Sequence, residues 1–385
     1  MMSKFEIKPN LRFNSIKPYH GIVPTHKFLK TKAKAKNLIK LSNNENQLGA
    51  SPKVLTHLKE LNTDIHFYPD DNGIDLKNAL AKHWNINANQ ITLGAGSNQL
   101  LWLIAETFVE PNDEVIIPQY SFFSYYYAAI AAGGNPIIVP TTNWEYNSAG
   151  ILNAINSNTK LIYIANPNNP TGSWINQQSL KSFLQDVPSH ILVIIDEAYY
   201  EYIDNPDFPG SLYLLKSFPN IIVTRTFSKA YGLAGLRIGY SLSDSNIASF
   251  LNNARDIFNV NSQALIAAQI ALQDQDHILL SRTLNQQGLE QLKSGLKILN
   301  IKYLATITNF ITIYLGQYAQ KIYQLLLENG IIVCSLNNYD LPSYLRITVG
   351  TLEQNTSFLK ALALALKTVH YPSEDTRELF SKEFN

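Results

Sequence analysis

The chain is poor in several features that would assign it quickly to a specialised class of protein. Its 385 residues include one cysteine, Cys334, which excludes an intrachain disulfide framework and suits a reducing cytosol. Charged residues make up only 16% of the sequence, and the 31 basic side chains nearly balance the 30 acidic ones. This balance predicts no nucleic-acid, acidic or membrane-surface partner.

Long apolar runs are also missing. No stretch reaches the ~18 consecutive apolar residues of a membrane-spanning helix. The opening segment, residues 1–6, lacks the apolar core of a signal peptide. We therefore expect a cytoplasmic protein that binds neither membrane nor nucleic acid.

What the chain does have is length and apolar content, with 45% hydrophobic residues. A chain of this length is usually too long for a single hydrophobic core, so two domains are expected. Several proline and glycine residues, which interrupt regular secondary structure, and a basic run mark residues 1–37 as an N-terminal arm. We expect this arm to pack with the small domain. The predicted large domain covers 38–282, and a smaller α+β domain covers 283–385.

Strands and helices alternate between residues 113 and 240. The predicted strands are short runs rich in Ile and Val, such as 114–117, 159–164 and 191–195. Continuous apolar runs are typical of strands that are buried on both faces. The large domain is therefore predicted to be α/β, with a mostly parallel sheet.

Polar segments follow four of these strands at the point where each strand ends. They are Pro118 to Tyr120, Asn166 to Gly172, Asp196 to Tyr199 and Thr226 to Lys229. Ligands of open parallel sheets bind beyond the carboxyl ends of the strands. Each segment alone could be an ordinary loop, but together they place an acid, an amide, an aromatic ring and a lysine at one edge.

The segment from Thr226 to Arg237 carries the strongest chemical signal. Thr226 and Ser228 precede Lys229, and Arg237 follows eight residues after the lysine, with small residues between. A lysine beside a serine is usually solvated, so Lys229 alone indicates little. A buried amine that forms a Schiff base, beside hydroxyls and a guanidinium that cup a phosphate, suits pyridoxal phosphate, because this cofactor is an aldehyde with a phosphate arm.

A glycine-rich turn joins a predicted strand, residues 90–93, to a predicted apolar helix, residues 99–108. The turn contains Gly96, Ser97 and Asn98. Backbone N–H groups at such a helix start bind anions. A dinucleotide-binding fingerprint is disfavoured, because the third glycine and an acidic residue about 20 positions further on are both missing. A plain tight turn is the other alternative.

Arg346 lies inside a predicted apolar strand, residues 345–349. Burying a guanidinium is unfavourable unless it meets an anion. The anion could belong to a substrate, or it could be the carboxylate of an internal ion pair.

In order and spacing, these segments resemble the fold-type I, class I/II aminotransferases that use pyridoxal 5'-phosphate, and among them the histidinol-phosphate aminotransferases. The resemblance runs from about Tyr19 to Leu366. Its motifs are Asn44-Glu45-Asn46, Tyr68-Pro69-Asp70, Gly94 to Asn98, Asn166 to Gly172, Asp196 to Tyr199, Ser228-Lys229 with Arg237, and Leu345 to Thr351. It implies a large domain with a mostly parallel sheet of the seven-stranded type and a smaller α+β domain.

The resemblance also implies a role for each residue around the cofactor ring. Lys229 would form the Schiff base and then carry the proton between the substrate carbon and the cofactor carbon. Asp196 would pair with the pyridine nitrogen and keep it protonated, so that the ring acts as an electron sink. Asn169 and Tyr199 would hydrogen-bond the ring hydroxyl, and Tyr120 would stack on the ring face.

The phosphate and substrate contacts follow from the same resemblance. The phosphate would be held by Gly96, Ser97, Asn98, Thr226, Ser228 and Arg237. Tyr68 would reach the cofactor phosphate of a neighbouring subunit, which implies a homodimer. The substrate would contact Tyr19, Asn44 and Arg346, and the planar fork of the arginine suits a carboxylate or a phosphate. No metal is implied.

Two positions depart from the family pattern. Residues 330–333 are followed by Cys334, where the family usually has an arginine that helps to grip the phosphate of histidinol phosphate. Losing this cation should weaken the binding of a dianion, whereas Arg346 alone still suits a monocarboxylate. Gln47 stands where the family favours proline, which we take as a minor change in the loop.

The sequence therefore predicts ping-pong transfer of an amino group to a 2-oxo acid, with 2-oxoglutarate as the expected acceptor. Histidinol phosphate is the expected amino donor, and aromatic amino acids are the alternative. Two further hypotheses are a decarboxylase of the phosphothreonine type and a non-catalytic protein that binds the cofactor. The last is disfavoured because all the expected catalytic and ring-binding residues are present: Lys229, Asp196, Tyr199, Asn169 and Arg237.

Overall fold

The computed structural model describes Asn10, Arg12, Phe13 and residues 38–60, 65–208 and 210–372. The predicted arm therefore lies almost entirely outside the described residues, and Tyr19 lies outside them as well. The remaining chain forms a large domain and a small domain, each with its own buried core.

A seven-stranded sheet forms the centre of the large domain. Its strands are β2 (Ile91–Gly94), β3 (Glu114–Pro118), β4 (Asn135–Val139), β5 (Thr159–Ala165), β6 (Leu192–Asp196), β7 (Ile221–Thr226) and β8 (Gly239–Ser243). They lie in the order β2-β8-β7-β6-β5-β3-β4, and β8 runs antiparallel to both of its neighbours. The other adjacent pairs are parallel. The predicted mostly parallel sheet is confirmed.

Strand β8 was not predicted from the sequence. Ser241 and Ser243 interrupt its apolar run, yet both side chains are fully buried. A strand with alternating hydroxyls gives a weak local signal, and its place between β2 and β7 is decided by the packing of the sheet.

Helices cover both faces of the large sheet. They are α1 (Pro52–Glu60), α2 (Ile74–Trp84), α3 (Ser97–Phe108), α4 (Ser124–Ala132), α5 (Ser148–Ala154), α6 (Gln177–Asp186), α7 (Ser245–Ala254) and α8 (Ser262–Gln273). Alternate strand residues face opposite layers, so that Ile162 and Ile164 pack on one side while Leu161 and Tyr163 pack on the other. Burial of each such side chain contributes roughly 1.5–3 kcal/mol. The apolar runs of the central strands are therefore explained by two packed faces.

The small domain combines two short sheets with three helices. Strands β9 (Phe310–Tyr314), β11 (Cys334–Ser335) and β12 (Tyr344–Thr348) form an antiparallel sheet, whereas β1 (Ile39–Lys40) pairs in parallel with β10 (Ile331–Ile332). The helices are α9 (Gln275–Ile298), α10 (Ala319–Glu328) and α11 (Leu352–Thr368). Within the described part of the chain, no helix is both long and apolar enough to cross a membrane.

Two predicted domain boundaries need correction. β1 pairs with β10, and Leu41 is buried in the small-domain core, so the large domain begins later than residue 38. The local apolar pattern could not show which sheet a two-residue strand would join. The boundary at 282 falls inside α9, a continuous helix whose second half packs on the small domain through Leu289, Leu292 and Leu296.

Candidate active site

A cavity of about 160 Å³ lies beyond the carboxyl ends of β5, β6 and β7, beside the start of α3. Nine of the twelve residues predicted to bind the cofactor line it, together with five that were not predicted. The lining residues are Ser97, Asn98, Phe122, Tyr125, Ala165, Pro167, Asn169, Asp196, Ala198, Tyr199, Thr226, Ser228, Lys229 and Arg237. The strand ends thus converge as the sequence predicted.

Lys229 follows β7 and points its amine into this cavity. Its Nζ donates a hydrogen bond to the Asn43 carbonyl oxygen at 2.9 Å. Burial and the nearby Arg346 guanidinium lower the lysine pKa to about 8. A substantial share of the amine is therefore neutral near physiological pH, which is the form that acts as a nucleophile or a base.

Asp196 is the last residue of β6 and is almost fully buried. Its Oδ2 accepts a hydrogen bond from the Tyr125 hydroxyl at 2.8 Å, and its Oδ1 accepts one from the Thr224 hydroxyl at 3.1 Å. Burial raises the pKa of this carboxyl to about 6, and the two donors oppose that rise. Asp196 can therefore serve as an acceptor for a protonated ring nitrogen.

Asn44, Asn169, Tyr199 and Arg346 form one connected group beside the lysine. Asn44 Nδ2 donates to the Tyr199 hydroxyl oxygen at 2.8 Å. Arg346 Nη1 donates to Asn169 Oδ1, and Arg346 Nη2 donates to the Ser42 carbonyl oxygen at 2.9 Å. Burial raises the pKa of Tyr199 to about 12, so this phenol stays protonated.

Arg346 makes no ion pair with any described carboxylate, and its partners are neutral oxygens. Its Nε is buried without a hydrogen-bond partner. A buried guanidinium in this state is expected to meet an anion. The arrangement favours a substrate anion over the internal ion pair that the sequence left open.

The predicted phosphate site forms where α3 begins. Gly96 has a φ of 84°, a backbone conformation that glycine adopts without strain, and a Cβ placed on it would crowd the guanidinium of Arg237. Arg237 Nη1 donates to the Ser228 hydroxyl oxygen at 3.2 Å. The N-terminus of α3, at Ser97, faces the same space together with Thr226. A helix start, hydroxyls and a guanidinium are a suitable donor set for a phosphate dianion.

The structure does not place Tyr120 in this cavity, so that prediction is corrected. Its backbone has a φ of 57°, and its carbonyl oxygen accepts a hydrogen bond from Asn168 Nδ2 at 3.0 Å. This conformation directs its ring to Trp144, at a centroid distance of 5.4 Å, where both residues line another cavity. Phe122 lines the cofactor cavity in its stead.

Tyr68 also lies outside the cavity of its own chain. Its side chain is 80% exposed, and its ring stacks on Phe258 at 4.5 Å. This position leaves the tyrosine free to act on another subunit, as the resemblance implies.

A second cavity, of about 480 Å³, adjoins the first and shares Asn98, Phe122, Asn169 and Lys229 with it. Its other lining residues are Asn43, Asn44, Trp102, Phe123, Ser124, Tyr127, Cys334, Ser335, Asn338, Tyr339 and Arg346. The cationic side chains among them are Lys229 and Arg346. Cys334 lies opposite Arg346 across the β11–β12 pair.

Phe122 and Tyr125 are the aromatic residues among the five lining residues that sequence reasoning did not predict. The chain has 21 tyrosines, so residue type alone could not distinguish Tyr125. Both residues follow β3 at the sheet edge where ligands bind, and this position was the sequence feature that could have indicated them. It predicts that the segment after β3 lies near the site, but it does not predict which aromatic rings face the cavity.

The fold and the site define a class of enzyme that transfers groups with pyridoxal phosphate, and comparison with known proteins gives the same class. The sequence profile of the family described as "Aminotransferase class I and II" matches residues 36–362. The chain belongs to this family.

The most similar relatives include "Histidinol-phosphate aminotransferase 2" of Pseudomonas fluorescens strain Pf0-1, 44% identical over 86% of this chain and 89% of that protein. "Histidinol-phosphate aminotransferase 1" of Idiomarina loihiensis is 42% identical over 90% of this chain and 94% of that protein. A crystal structure of the Sinorhizobium meliloti histidinol-phosphate aminotransferase with pyridoxal-5'-phosphate has a TM-score of 0.85. It is 28% identical and covers 96% of this chain and 100% of that one.

The residues present fit the cofactor that the family implies. The cavity supplies a lysine amine, an almost fully buried carboxylate and a helix start beside Arg237. Gly96 takes a φ of 84° and brings the turn close to the Arg237 guanidinium, with no side chain between them. The chain is therefore a pyridoxal 5'-phosphate-dependent transaminase. In the bound enzyme, Lys229 would meet the cofactor aldehyde, Asp196 the ring nitrogen and the start of α3 the phosphate.

Proposed function

We propose that the protein transfers the amino group of histidinol phosphate to 2-oxoglutarate, as a step of histidine biosynthesis. The observation that carries this proposal is Arg346, which lines the same cavity as Lys229, has no carboxylate partner among the described residues and has an unpaired Nε. The names of relatives that are 39–45% identical over most of the chain support the same donor. A guanidinium can grip the phosphate of this donor and the carboxylate of 2-oxoglutarate in turn.

Lys229 performs the proton transfers in this proposal. The cofactor supplies an aldehyde that condenses with amines and a ring that takes up an electron pair. With a pKa of about 8, the lysine amine can both accept and return a proton near neutral pH. The Asn43 carbonyl oxygen, 2.9 Å from Nζ, holds the amine on the side of the cavity that faces Arg346.

Other residues fix the charges around the lysine. Asp196 would keep the ring nitrogen of the bound cofactor protonated. Tyr199 presents a phenol whose hydroxyl oxygen accepts a hydrogen bond from Asn44 Nδ2. Asn169 ties the arginine to the same place, because its Oδ1 accepts from Arg346 Nη1. Asp196, Tyr199, Asn44 and Arg346 are buried, so water competes little with them and their interactions are strengthened.

Aromatic amino acids are the second candidate donors, and Cys334 favours them. In the larger cavity, Cys334 occupies the position opposite Arg346, and Arg346 is the one arginine among the described residues that line this cavity. A phosphate dianion would therefore meet no second guanidinium from these residues. The cavity walls include Trp102, Phe123 and Tyr127, which suit a flat apolar side chain.

The half-reaction of the cofactor-loaded protein tests the donor. Histidinol phosphate, phenylalanine, tyrosine and glutamate are added separately, and the conversion of the cofactor absorbance to its amine form is followed. The proposal predicts that histidinol phosphate and glutamate react fastest. Fast conversion with the aromatic amino acids alone would replace the proposed donor, and carbon dioxide as product would indicate a decarboxylase.

We also propose a cytoplasmic homodimer in which Tyr68 completes the partner's site. Support comes from a run of exposed apolar side chains beside Tyr68: Ile65, Phe67, Ile257 and Phe258. Mixing inactive Lys229→Ala protein with inactive Tyr68→Ala protein should restore activity, because a mixed dimer contains one intact site. If the tyrosine instead acts within its own chain, neither chain of the mixed dimer has both Lys229 and Tyr68, and no recovery of activity is expected.

A further inference from the structure

The Asp196 carboxylate is held in an unusual way for a buried charge. Neither of its oxygens contacts a cation among the described residues, and both accept hydrogen bonds from neutral hydroxyls. Desolvation favours the neutral carboxylic acid, whereas donors to the carboxylate favour its ionised form. The hydroxyls therefore oppose the effect of burial.

Tyr125 is positioned rigidly for this contact. It is the second residue of α4, its side chain is fully buried, and its ring stacks on Tyr163 at 4.6 Å with an interplanar angle of 3°. The Tyr163 hydroxyl is itself anchored, since it donates to the Leu101 carbonyl oxygen at 2.7 Å. The stack fixes the phenol where its hydroxyl reaches Asp196 Oδ2.

The phenol is also fixed as a donor. Burial and the adjacent carboxylate hold the pKa of Tyr125 well above its ordinary range, so the hydroxyl keeps its proton at any physiological pH. Thr224, on the neighbouring strand β7, is fully buried and supplies the second neutral donor, at 3.1 Å.

We infer that Tyr125, assisted by Thr224, is a positioning residue that keeps the Asp196 carboxylate ionised and oriented, so that the proton shared with the cofactor resides on the ring nitrogen. Each hydroxyl lowers the proton affinity of the carboxylate. With one of them removed, the shared proton moves towards the carboxyl and the ring nitrogen becomes more nearly neutral. Because these residues contact the cofactor site alone, the role is independent of which amino donor the protein uses.

The test compares Tyr125→Phe with Tyr163→Phe in the full-length protein. Both changes remove one buried hydroxyl that makes one hydrogen bond, but only Tyr125 touches Asp196. Each protein is loaded with pyridoxal phosphate labelled with ¹⁵N in the ring, and the nitrogen chemical shift is measured at pH 7.5. Loss of a hydrogen bond to a charged group corresponds to about a tenfold or larger change in proton affinity.

We therefore expect the ratio of protonated to neutral ring nitrogen to fall about tenfold in Tyr125→Phe. Tyr163→Phe should match the wild type. Thr224→Val should shift the resonance in the same direction, and Thr224→Ser should restore it, which keeps the test available if Tyr125→Phe does not fold. An unchanged resonance in both Tyr125→Phe and Thr224→Val, or an equal shift in Tyr163→Phe, would overturn the inference.

Discussion

The close approach of two backbone segments at Gly239 supports the phosphate site and leads to a sharp prediction. Gly239 begins β8, and a Cβ built on it would lie 2.5 Å from the Ser97 backbone nitrogen, at the start of α3. It would also lie 2.9 Å from the Arg225 carbonyl oxygen and 2.9 Å from the Gly96 carbonyl carbon. All three are backbone atoms, so a rotamer change cannot relieve the contact.

Gly239→Ala should therefore push the start of α3 away from the cavity. An ordinary contact needs about 0.9 Å more room than the shortest of these distances allows. Overpacking of this kind costs about 1–3 kcal/mol of folding free energy. A displaced Ser97 amide would also lose the charge-assisted hydrogen bond predicted between it and the cofactor phosphate. Such a bond is worth about 1.5–3 kcal/mol, which corresponds to roughly 10- to 100-fold weaker cofactor binding.

The assay is a titration of the cofactor-free protein with pyridoxal phosphate, followed by absorbance, together with thermal unfolding. Gly235→Ala is the matched control, because Gly235 lies in the same segment and a Cβ there has nothing within 4 Å. It should leave both measurements unchanged. Cofactor affinity within twofold of the wild type in Gly239→Ala would refute the idea that this close approach sets the phosphate site.

Three further changes test other parts of the structure. Arg225→Met leaves the Glu197 carboxylate buried without its ion-pair partner and should lower the free energy of unfolding by about 3–5 kcal/mol, measured by urea denaturation. The control, Lys293→Met at an exposed ion pair, should lower it by less than about 1 kcal/mol. In steady-state assays, Cys334→Arg should lower KM for histidinol phosphate about tenfold and leave KM for phenylalanine nearly unchanged. If KM is unchanged for both, Cys334 does not determine which amino donor the protein prefers. The pKa of Lys229 is about 8 in the folded protein, below its unfolded value of 10.5. Burial of the charged lysine therefore destabilises the cofactor-free protein. This destabilisation is complete below pH 8 and disappears as the pH rises to 10.5. Lys229→Met should thus stabilise that protein by about 3 kcal/mol at pH 7, with the gain fading by pH 10.5. A gain in the free energy of unfolding that does not depend on pH would contradict the assignment.

Much of the site could be predicted because it lies at strand ends. The Ile and Val runs marked β5, β6 and β7, and the rule for parallel sheets then placed Asn169, Asp196 and Lys229 at one edge. Glycine spacing marked the turn before α3 in the same way. These inferences needed local sequence only, since strand burial and turn chemistry are local properties.

The aromatic residues of the site could not be predicted in this way. Tyr125, Tyr126 and Tyr127 are consecutive, and successive helix positions point about 100° apart. Only Tyr125 is fully buried and reaches Asp196, and this depends on where α4 begins and how it packs on the sheet. Tyr120 was assigned wrongly because the left-handed backbone that turns its ring to Trp144 is set by contact with Asn168, 48 residues further along the chain.

The sequence by itself determined the class of the enzyme and its cofactor, and it predicted a set of site residues, because those residues occur in ordered motifs at strand ends. Tertiary structure decided which neighbours tune them: the hydroxyls on Asp196, the carbonyl that holds Lys229 and the domain that β1 joins. The partner of the lysine is 186 residues away in the chain, and the strand that receives β1 begins at Ile331. No local pattern encodes such pairings, since each joins segments that are far apart in the chain and meet only in the folded protein.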